Sequence, residues 1–280
     1  MNYKLVSVDL DGTLLNSKDE IDNRTAALMK KAMELEVKFA MCSARIYLST
    51  QYYNMQIDKR QPVITNNGGL ITINEKEVFS NPLNIEELFE IIDIAMAEKN
   101  DIYFSFGNGD ISRNCVCTNK ITTINRINSE YNQIVPPEFR IDAKLVKEPI
   151  TYIQNTNNAK IYKISFIDEN PIVLKRINNR LRSLNKYEVT SSEANNIEVT
   201  QKGVNKGNAL EKLAEYYGYA LDECIAIGND KNDLSMIKKA GLGVAMNNSN
   251  SFIKQYAKYI TQRDNNNGGV AEIIEKFILS

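Results

Sequence analysis

Tyr3-Lys4-Leu5-Val6-Ser7-Val8-Asp9-Leu10-Asp11-Gly12-Thr13 is an apolar run that stops at two carboxylates and a glycine. Its length suits a buried strand, and the glycine lets the chain turn sharply once the strand ends. Residues i and i+2 of an extended chain project to the same side, so Asp9 and Asp11 converge on one point. Downstream, the rhythm repeats: a helical pattern at Asn23 to Glu36, an apolar run at Val37 to Cys42, a helix at Ile46 to Ile57 and a strand at Pro62 to Thr65. It returns after Asn205, with a helix to about Gly218, a strand at Cys224 to Ile227, a helix from about Asp230, and strands near Leu242 to Ala245 and Tyr259 to Thr261. Strands that alternate with helices predict a parallel sheet with helices on both faces. Such sheets bind ligands beyond the carboxyl ends of their strands, which is where Asp9 and Asp11 fall.

Between these halves the pattern changes. A helix at Ile85 to Glu98 precedes a hairpin signal, Ile102 to Phe106, Gly107-Asn108-Gly109 and Ile111 to Thr118; an Asn-rich loop at Asn155 to Asn158, a strand at Lys160 to Ile167 and a helix at Pro171 to Leu184 follow. The chain of 280 residues exceeds the size at which one core keeps growing, so two domains are expected. Residues 1–81 and 191–280 form an α/β core, and 82–190 an inserted α+β domain joined by the short polar links Ser80 to Asn84 and Ser191 to Asn196.

Composition removes several chemistries. Lys and Arg number 34 against 35 Asp and Glu, a net charge of −1, so the broad attraction needed for nonspecific nucleic-acid or anionic-membrane binding is missing. No His occurs, which excludes Ser-His-Asp triads, Cys-His pairs and His-ligated zinc; acid–base work then falls mainly to carboxylates. The four cysteines, Cys42, Cys115, Cys117 and Cys224, fit neither a disulfide framework nor a tetrahedral metal site and are expected as buried thiols. With no signal-peptide pattern and no span-length apolar segment, a cytoplasmic protein is expected.

Three further signals sit at strand ends or helix starts. Cys42-Ser43-Ala44-Arg45 precedes a predicted helix, where a hydroxyl and backbone N–H groups can hold a phosphate; taken alone, Ser43 reads first as a plain N-cap. Lys206, in Gly203-Val204-Asn205-Lys206-Gly207, opens the helix after the insert, although most lysines are solvated surface charges. Ile225-Ala226-Ile227-Gly228-Asn229-Asp230-Lys231-Asn232-Asp233 runs a strand into a loop crowded with oxygen ligands, suited to a hard cation or to ordinary helix capping. An EF-hand fits Asp9 to Thr13 poorly, since its glycine is the fourth residue and not the sixth.

In their order and placement these four segments resemble the haloacid dehalogenase superfamily, and most closely its Cof-type phosphatases of subclass IIB. Pro62-Val63-Ile64-Thr65-Asn66-Asn67-Gly68-Gly69 and Asn265 to Val270 also look like that subfamily, so the resemblance covers nearly the whole chain. It implies a Rossmann-like core with a cap that closes over it, and hydrolysis of small phosphomonoesters such as sugar phosphates or phosphorylated cofactors. Asp9 would be the nucleophile that forms an aspartyl-phosphate, and Asp11 the acid and base. Leu10 and Ala44 through their N–H groups, with Ser43, Lys206 and Asn232, would bind the phosphoryl group. Mg2+ would be held by Asp9, by Asp11 through its main chain and by Asn229; Asp233 would orient Lys206 or metal-bound water, with Arg45 and Asn67 in support. A sugar phosphomutase of the same superfamily and a noncatalytic phosphometabolite sensor are the alternatives.

Two positions depart from the family pattern. Asn229 stands where a metal-binding Asp is usual, which removes one negative charge and predicts weaker magnesium affinity. Ala44 replaces a usual Gly, keeping the N–H but narrowing the backbone's freedom. Within the insert, Tyr103, Phe104, Arg113, Lys120 and Arg126 are candidate substrate-selecting groups, most of them expected to be core or solvated surface. The expected partner is a small phosphorylated metabolite, with no nucleic acid and no membrane; the oligomeric state is left open.

Overall fold

The computed structural model describes residues 3–108, 115–156, 159–192 and 194–280. They divide into two compact units, one built from the chain up to Ala44 with Tyr53–Phe79 and Asn205–Ser280, the other from Arg45–Tyr52 and Ser80–Val204. Strands are numbered in chain order: β1 (Leu5–Val8), β2 (Lys38–Cys42), β3 (Val63–Thr65), β4 (Leu70–Ile73), β5 (Lys76–Ser80), β6 (Tyr103–Asn108), β7 (Cys115–Thr118), β8 (Asp142–Leu145), β9 (Lys163–Ile167), β10 (Tyr187–Thr190), β11 (Asn196–Gln201), β12 (Cys224–Gly228), β13 (Leu242–Ala245) and β14 (Tyr259–Ile260).

The first unit's sheet has the order β14-β13-β12-β1-β2-β3-β4-β5. The pairs from β14 through β3 are parallel, with Leu5 opposite both Cys224 and Lys38, and β4 turns back antiparallel on β3. Every residue of β1 and of β12 is buried, as expected of central parallel strands covered on both faces. Leu5, Ala40, Ile64, Leu210, Leu213 and Met236 join one side of this core. The helix Lys206–Tyr217 begins where the Asn205 side chain accepts from Asn208 N at 2.9 Å, and it ends at Gly218 in the left-handed conformation. This fixes Lys206 as the first residue of that helix.

The second unit's sheet has the order β10-β11-β9-β6-β7-β8, antiparallel except for the parallel β7–β8 pair. Helices Ile85–Glu98 and Pro171–Ser183 supply Leu88, Ile91, Ile92, Leu174, Ile177 and Leu181 to a core shared with Phe104, Ile164, Phe166 and Val199 of the sheet. The first of these helices opens on a reciprocal cap between Asn84 and Glu87, the second on Asn170 with Pro171 at its first position.

Three details differ from the sequence-based expectation. β11 pairs with β9 and β10, so the insert runs to Val204 and not to 190; the deciding partners lie elsewhere in the chain. Arg45–Tyr52 groups with the second unit. In the expected hairpin, Gly107 and Asn108 are strand residues opposite Val116 and Cys115, while Gly109 and Ile111 to Arg113 lie outside the described residues, as do Asn157 and Asn158 of the Asn-rich loop. Among the described residues no helix is long and apolar enough to cross a membrane.

Candidate active site

From β1 the chain proceeds to β2 on one side, whereas from β12 it proceeds to β13 on the other. Between strands that lead apart in this way, the ends of the sheet leave a crevice. Asp9 follows β1 directly, and its N–H donates to the Ile227 carbonyl at 3.0 Å, so the end of β1 is pinned to β12. Residues Leu10–Leu14 then wrap into a tight turn, Leu14 N donating to the Asp9 carbonyl at 3.1 Å and Leu15 N to the Leu10 carbonyl at 2.9 Å. Gly12 has φ +72°, which glycine adopts without strain, and a Cβ there would stand 2.6 Å from the outer atom of the Asn229 amide.

Lys206, entirely buried, reaches across to two carboxylates. Its Nζ donates to Asp9 Oδ1 at 2.7 Å and to Asp233 Oδ1 at 2.6 Å. Asp233 is also entirely buried, and its other oxygen accepts from Asn229 N at 2.8 Å and Asp230 N at 3.0 Å, closing the loop after β12. Gly228 makes that closure possible: a Cβ there would lie 2.4 Å from the Cβ of Asp233. Burial, reinforced by the charge of Asp233, pushes the Asp9 carboxyl up to about 7, with Lys206 acting in the opposite sense. For Lys206 burial disfavours the charge, but Asp233 and Asp9 outweigh it and its pKa is raised. The ammonium is therefore a fixed positive charge.

Around this cluster the other expected residues fall into place to differing degrees. Ser43 is buried beyond the end of β2, where its N–H donates to the Ile64 carbonyl at 2.9 Å and its carbonyl accepts from Asn67 N at 3.1 Å. The following helix starts only at Tyr47, so Ser43 and Ala44 stand in the turn before it, and Ser43 is not its N-cap. Asn232 Nδ2 donates to Asn67 Oδ1 at 3.3 Å, which links the loop after β12 to the turn after β3. Asp230 accepts from Lys231 N at 2.7 Å and caps the short turn Lys231–Asp233. Leu10 is buried at the start of the turn. Arg45 belongs to the second unit.

Asn229 and Thr13 make a contact that the sequence does not reveal. Asp9 Oδ2, the Asp11 carbonyl oxygen and Thr13 Oγ1 surround one terminal atom of the Asn229 amide at 3.1, 3.0 and 2.9 Å. A main-chain carbonyl can only accept, as can Asp9 when ionised, so that atom is the NH2 nitrogen. Motif reading could have drawn attention to Thr13, which closes the pentapeptide; the orientation of an amide has no sequence signal. A second omission is Asn248, whose Nδ2 donates to the Gly12 carbonyl at 2.8 Å.

Among the described residues no group of three or more His, Cys, Asp or Glu side chains is gathered as a metal site. The Asp9 carboxylate and the Asp11 carbonyl nonetheless offer hard oxygen donors of the kind magnesium takes, and the Asn229 amide oxygen would join them only with the amide turned. All four cysteines are free and buried. Burial pushes the thiol of Cys42, on the neighbouring strand β2, up to about 12, which leaves it inert as a nucleophile. In the second unit, Phe104 is core and Arg126 is exposed, while Lys120 Nζ lies 4.6 Å from the centre of the Tyr103 ring; Arg113 is outside the described residues.

Known proteins resemble this chain over nearly its whole length. The sequence pattern of the haloacid dehalogenase-like hydrolases matches residues 6–274. Over 279 residues the chain is 27% identical to 5-amino-6-(5-phospho-D-ribitylamino)uracil phosphatase YcsE of Bacillus subtilis (strain 168), covering 100% of this chain and 97% of that one. A haloacid dehalogenase-like hydrolase from Bacteroides thetaiotaomicron superposes with a TM-score of 0.79 at 27% identity, covering 98% of this chain and 99% of that one. The HAD subclass IIB sugar phosphatase BT4131 shares the fold, with a TM-score of 0.78 at 21% identity and 98% of each chain covered.

Proposed function

The chain belongs to the haloacid dehalogenase-like hydrolase family and is a phosphatase of that family; from this premise we propose that it hydrolyses small phosphomonoesters through an aspartyl-phosphate on Asp9, with magnesium as cofactor. The support comes from one buried cluster, Lys206 Nζ at 2.7 Å from Asp9 and 2.6 Å from Asp233. A lysine taken fully out of water beside two carboxylates at a sheet's switch point is costly to the fold, and phosphoryl transfer supplies the reason to keep it.

In the first step an Asp9 oxygen attacks phosphorus. The bond from phosphorus to the ester oxygen breaks as the new bond to Asp9 forms, and Asp11 gives a proton to the departing oxygen. In the second step Asp11 takes a proton from water, whose oxygen attacks the same phosphorus and releases inorganic phosphate and free Asp9. Lys206, Ser43, Asn232 and the N–H groups of Leu10 and Ala44 hold the three equatorial oxygens, where charge accumulates. Asp233 positions Lys206 through the 2.6 Å contact. Asp9, the Asp11 carbonyl and Asn229 would hold the magnesium ion, which when bound offsets phosphoryl charge.

The inserted unit acts as the cap that selects the leaving group, with Tyr103, Lys120 and Arg126 as candidates for that selection. The proposed substrate class includes sugar phosphates and phosphorylated cofactors, and the similarity to a relative named 5-amino-6-(5-phospho-D-ribitylamino)uracil phosphatase supports including that compound in the panel.

Phosphate release from a panel of phosphorylated metabolites with magnesium tests the assignment. Hydrolysis that Asp9→Asn lowers at least about 10³-fold, with Asp11→Asn also strongly impaired, is the expected result. Wild-type turnover in purified Asp9→Asn protein overturns it. An isomeric sugar phosphate formed without free phosphate would indicate a mutase, and binding without turnover a sensor.

A further inference from the structure

The NH2 group of Asn229 lies among oxygens that a cation at this site would also need: Asp9 Oδ2 at 3.1 Å and the Asp11 carbonyl at 3.0 Å, with Thr13 Oγ1 at 2.9 Å beside them. We propose that Asn229 is a reversible amide latch, whose NH2 ties the Asp9 and Asp11 oxygens together and whose rotation, presenting the carbonyl oxygen instead, admits the divalent ion. This deepens the proposed function and rests on it for the identity of the metal.

Three observations carry the latch. First, the amide has two hydrogens for three oxygens, so its bonds to Asp9, Asp11 and Thr13 are shared and can be exchanged one at a time. Second, Thr13 tolerates both orientations: its hydroxyl accepts from the NH2 group, or donates at the same 2.9 Å to the carbonyl oxygen once the amide has turned. The Asp11 carbonyl offers only an acceptor, as does Asp9 when ionised, so they bind the NH2 group or a cation, but not the amide oxygen. Third, the main chain of Asn229 is held independently, its N–H donating to Asp233 Oδ2 at 2.8 Å. The side chain can therefore turn about its own bonds while the loop stays in place.

An aspartate at this position could not act in this way. It would add a third carboxylate beside Asp9 and Asp233, against the one ammonium of Lys206, and it would have no hydrogen to give to Asp9 or Asp11. The amide supplies in its own NH2 part of the stabilisation that a cation otherwise provides. A cation must displace those bonds before it enters, so Asn229 weakens magnesium binding twice, by lost charge and by competition.

The test is magnesium chloride titrated calorimetrically into substrate-free wild type, Asn229→Asp and Asn229→Ala, with melting temperatures in EDTA and in magnesium. Asn229→Asp is expected to bind magnesium at least tenfold more tightly than wild type, and to melt a few degrees lower in EDTA. Asn229→Ala, which changes no charge, is also expected to melt lower than wild type in EDTA. In the wild type, the Asn229 side-chain amide proton signals should shift and lose protection from exchange as magnesium saturates the site. Equal magnesium affinity in wild type and Asn229→Asp, equal melting of wild type and Asn229→Ala in EDTA, or an amide signal unmoved by saturating magnesium would each overturn the latch. Failure of the phosphatase reading is seen separately, as absence of phosphate release, because none of these measurements requires turnover.

Discussion

The Lys206 ammonium and the Asp233 carboxylate, both fully shielded from solvent, meet at 2.6 Å. They come from two segments that pack against each other, Lys206 from the start of the helix Lys206–Tyr217 and Asp233 from the turn after β12, and Gly207 N donates to Ser235 Oγ at 2.9 Å between them. Each is the other's principal compensation for lost hydration, and Asp9 completes the cluster from the end of β1.

Lys206→Met tests the energetic side of this arrangement. It keeps much of the side chain's volume but leaves Asp9 and Asp233 without their cation, and breaking a buried pair in this way costs about 3–5 kcal/mol. Urea denaturation with EDTA present should show that loss, together with phosphate release at background. A variant as stable as wild type would mean that the pair contributes nothing to the fold.

Acidity gives a second prediction, with a definite sign. Asp9 is raised from the usual 3.8 to about 7, so between those values the folded chain holds a proton that the unfolded chain has lost. Its burial therefore costs stability above pH 7, and that cost disappears as the pH falls toward 3.8. With EDTA present, wild type should gain on Asp9→Asn by up to about 1.4 kcal/mol per pH unit on acidification through this window. Unfolding free energies at pH 7.5, 6.5 and 5.5 provide the measurement; a constant difference between the two proteins contradicts the raised Asp9.

Gly228→Ala tests the close approach that lets Asp233 fold back under the loop. The new methyl would meet the Asp233 Cβ at 2.4 Å, so the turn must shift, at a cost of about 1–3 kcal/mol. Because Asp233 also holds Lys206 and the Asn229 N–H, phosphate release should fall more than the stability loss alone explains. Activity near the wild-type value in the folded variant would separate the loop from the chemistry.

Much of this site is legible in the one-dimensional chain. The Asp9 to Thr13 turn, Ser43, Lys206 and the Gly228 to Asp233 loop all fall at strand ends or a helix start, because the period of apolar residues and the identity of turn residues are local properties. The absence of His likewise points directly to carboxylate chemistry. Ser43 is less legible: a serine before a helical pattern reads as a cap, yet the helix starts at Tyr47. Asp230 is the cap of the turn that carries Asn232 and Asp233, a role fixed by the fold of that loop.

Assembly, by contrast, depends on partners far away in sequence. Lys206 and Asp9 are separated by 197 positions, and no pattern in either segment says that their side chains will meet at 2.7 Å. β11 belongs to the second unit because its hydrogen-bonding partners are β9 and β10, a matter of strand pairing and not of composition. The direction of the Asn229 amide is set by the Asp9 and Asp11 oxygens that the end of β1 and the turn after it bring to it. Residue types and their local periods dictate which elements form and where reactive groups sit on them; burial and pairing between distant segments dictate which of those groups share a charge, a proton or a hydrogen bond.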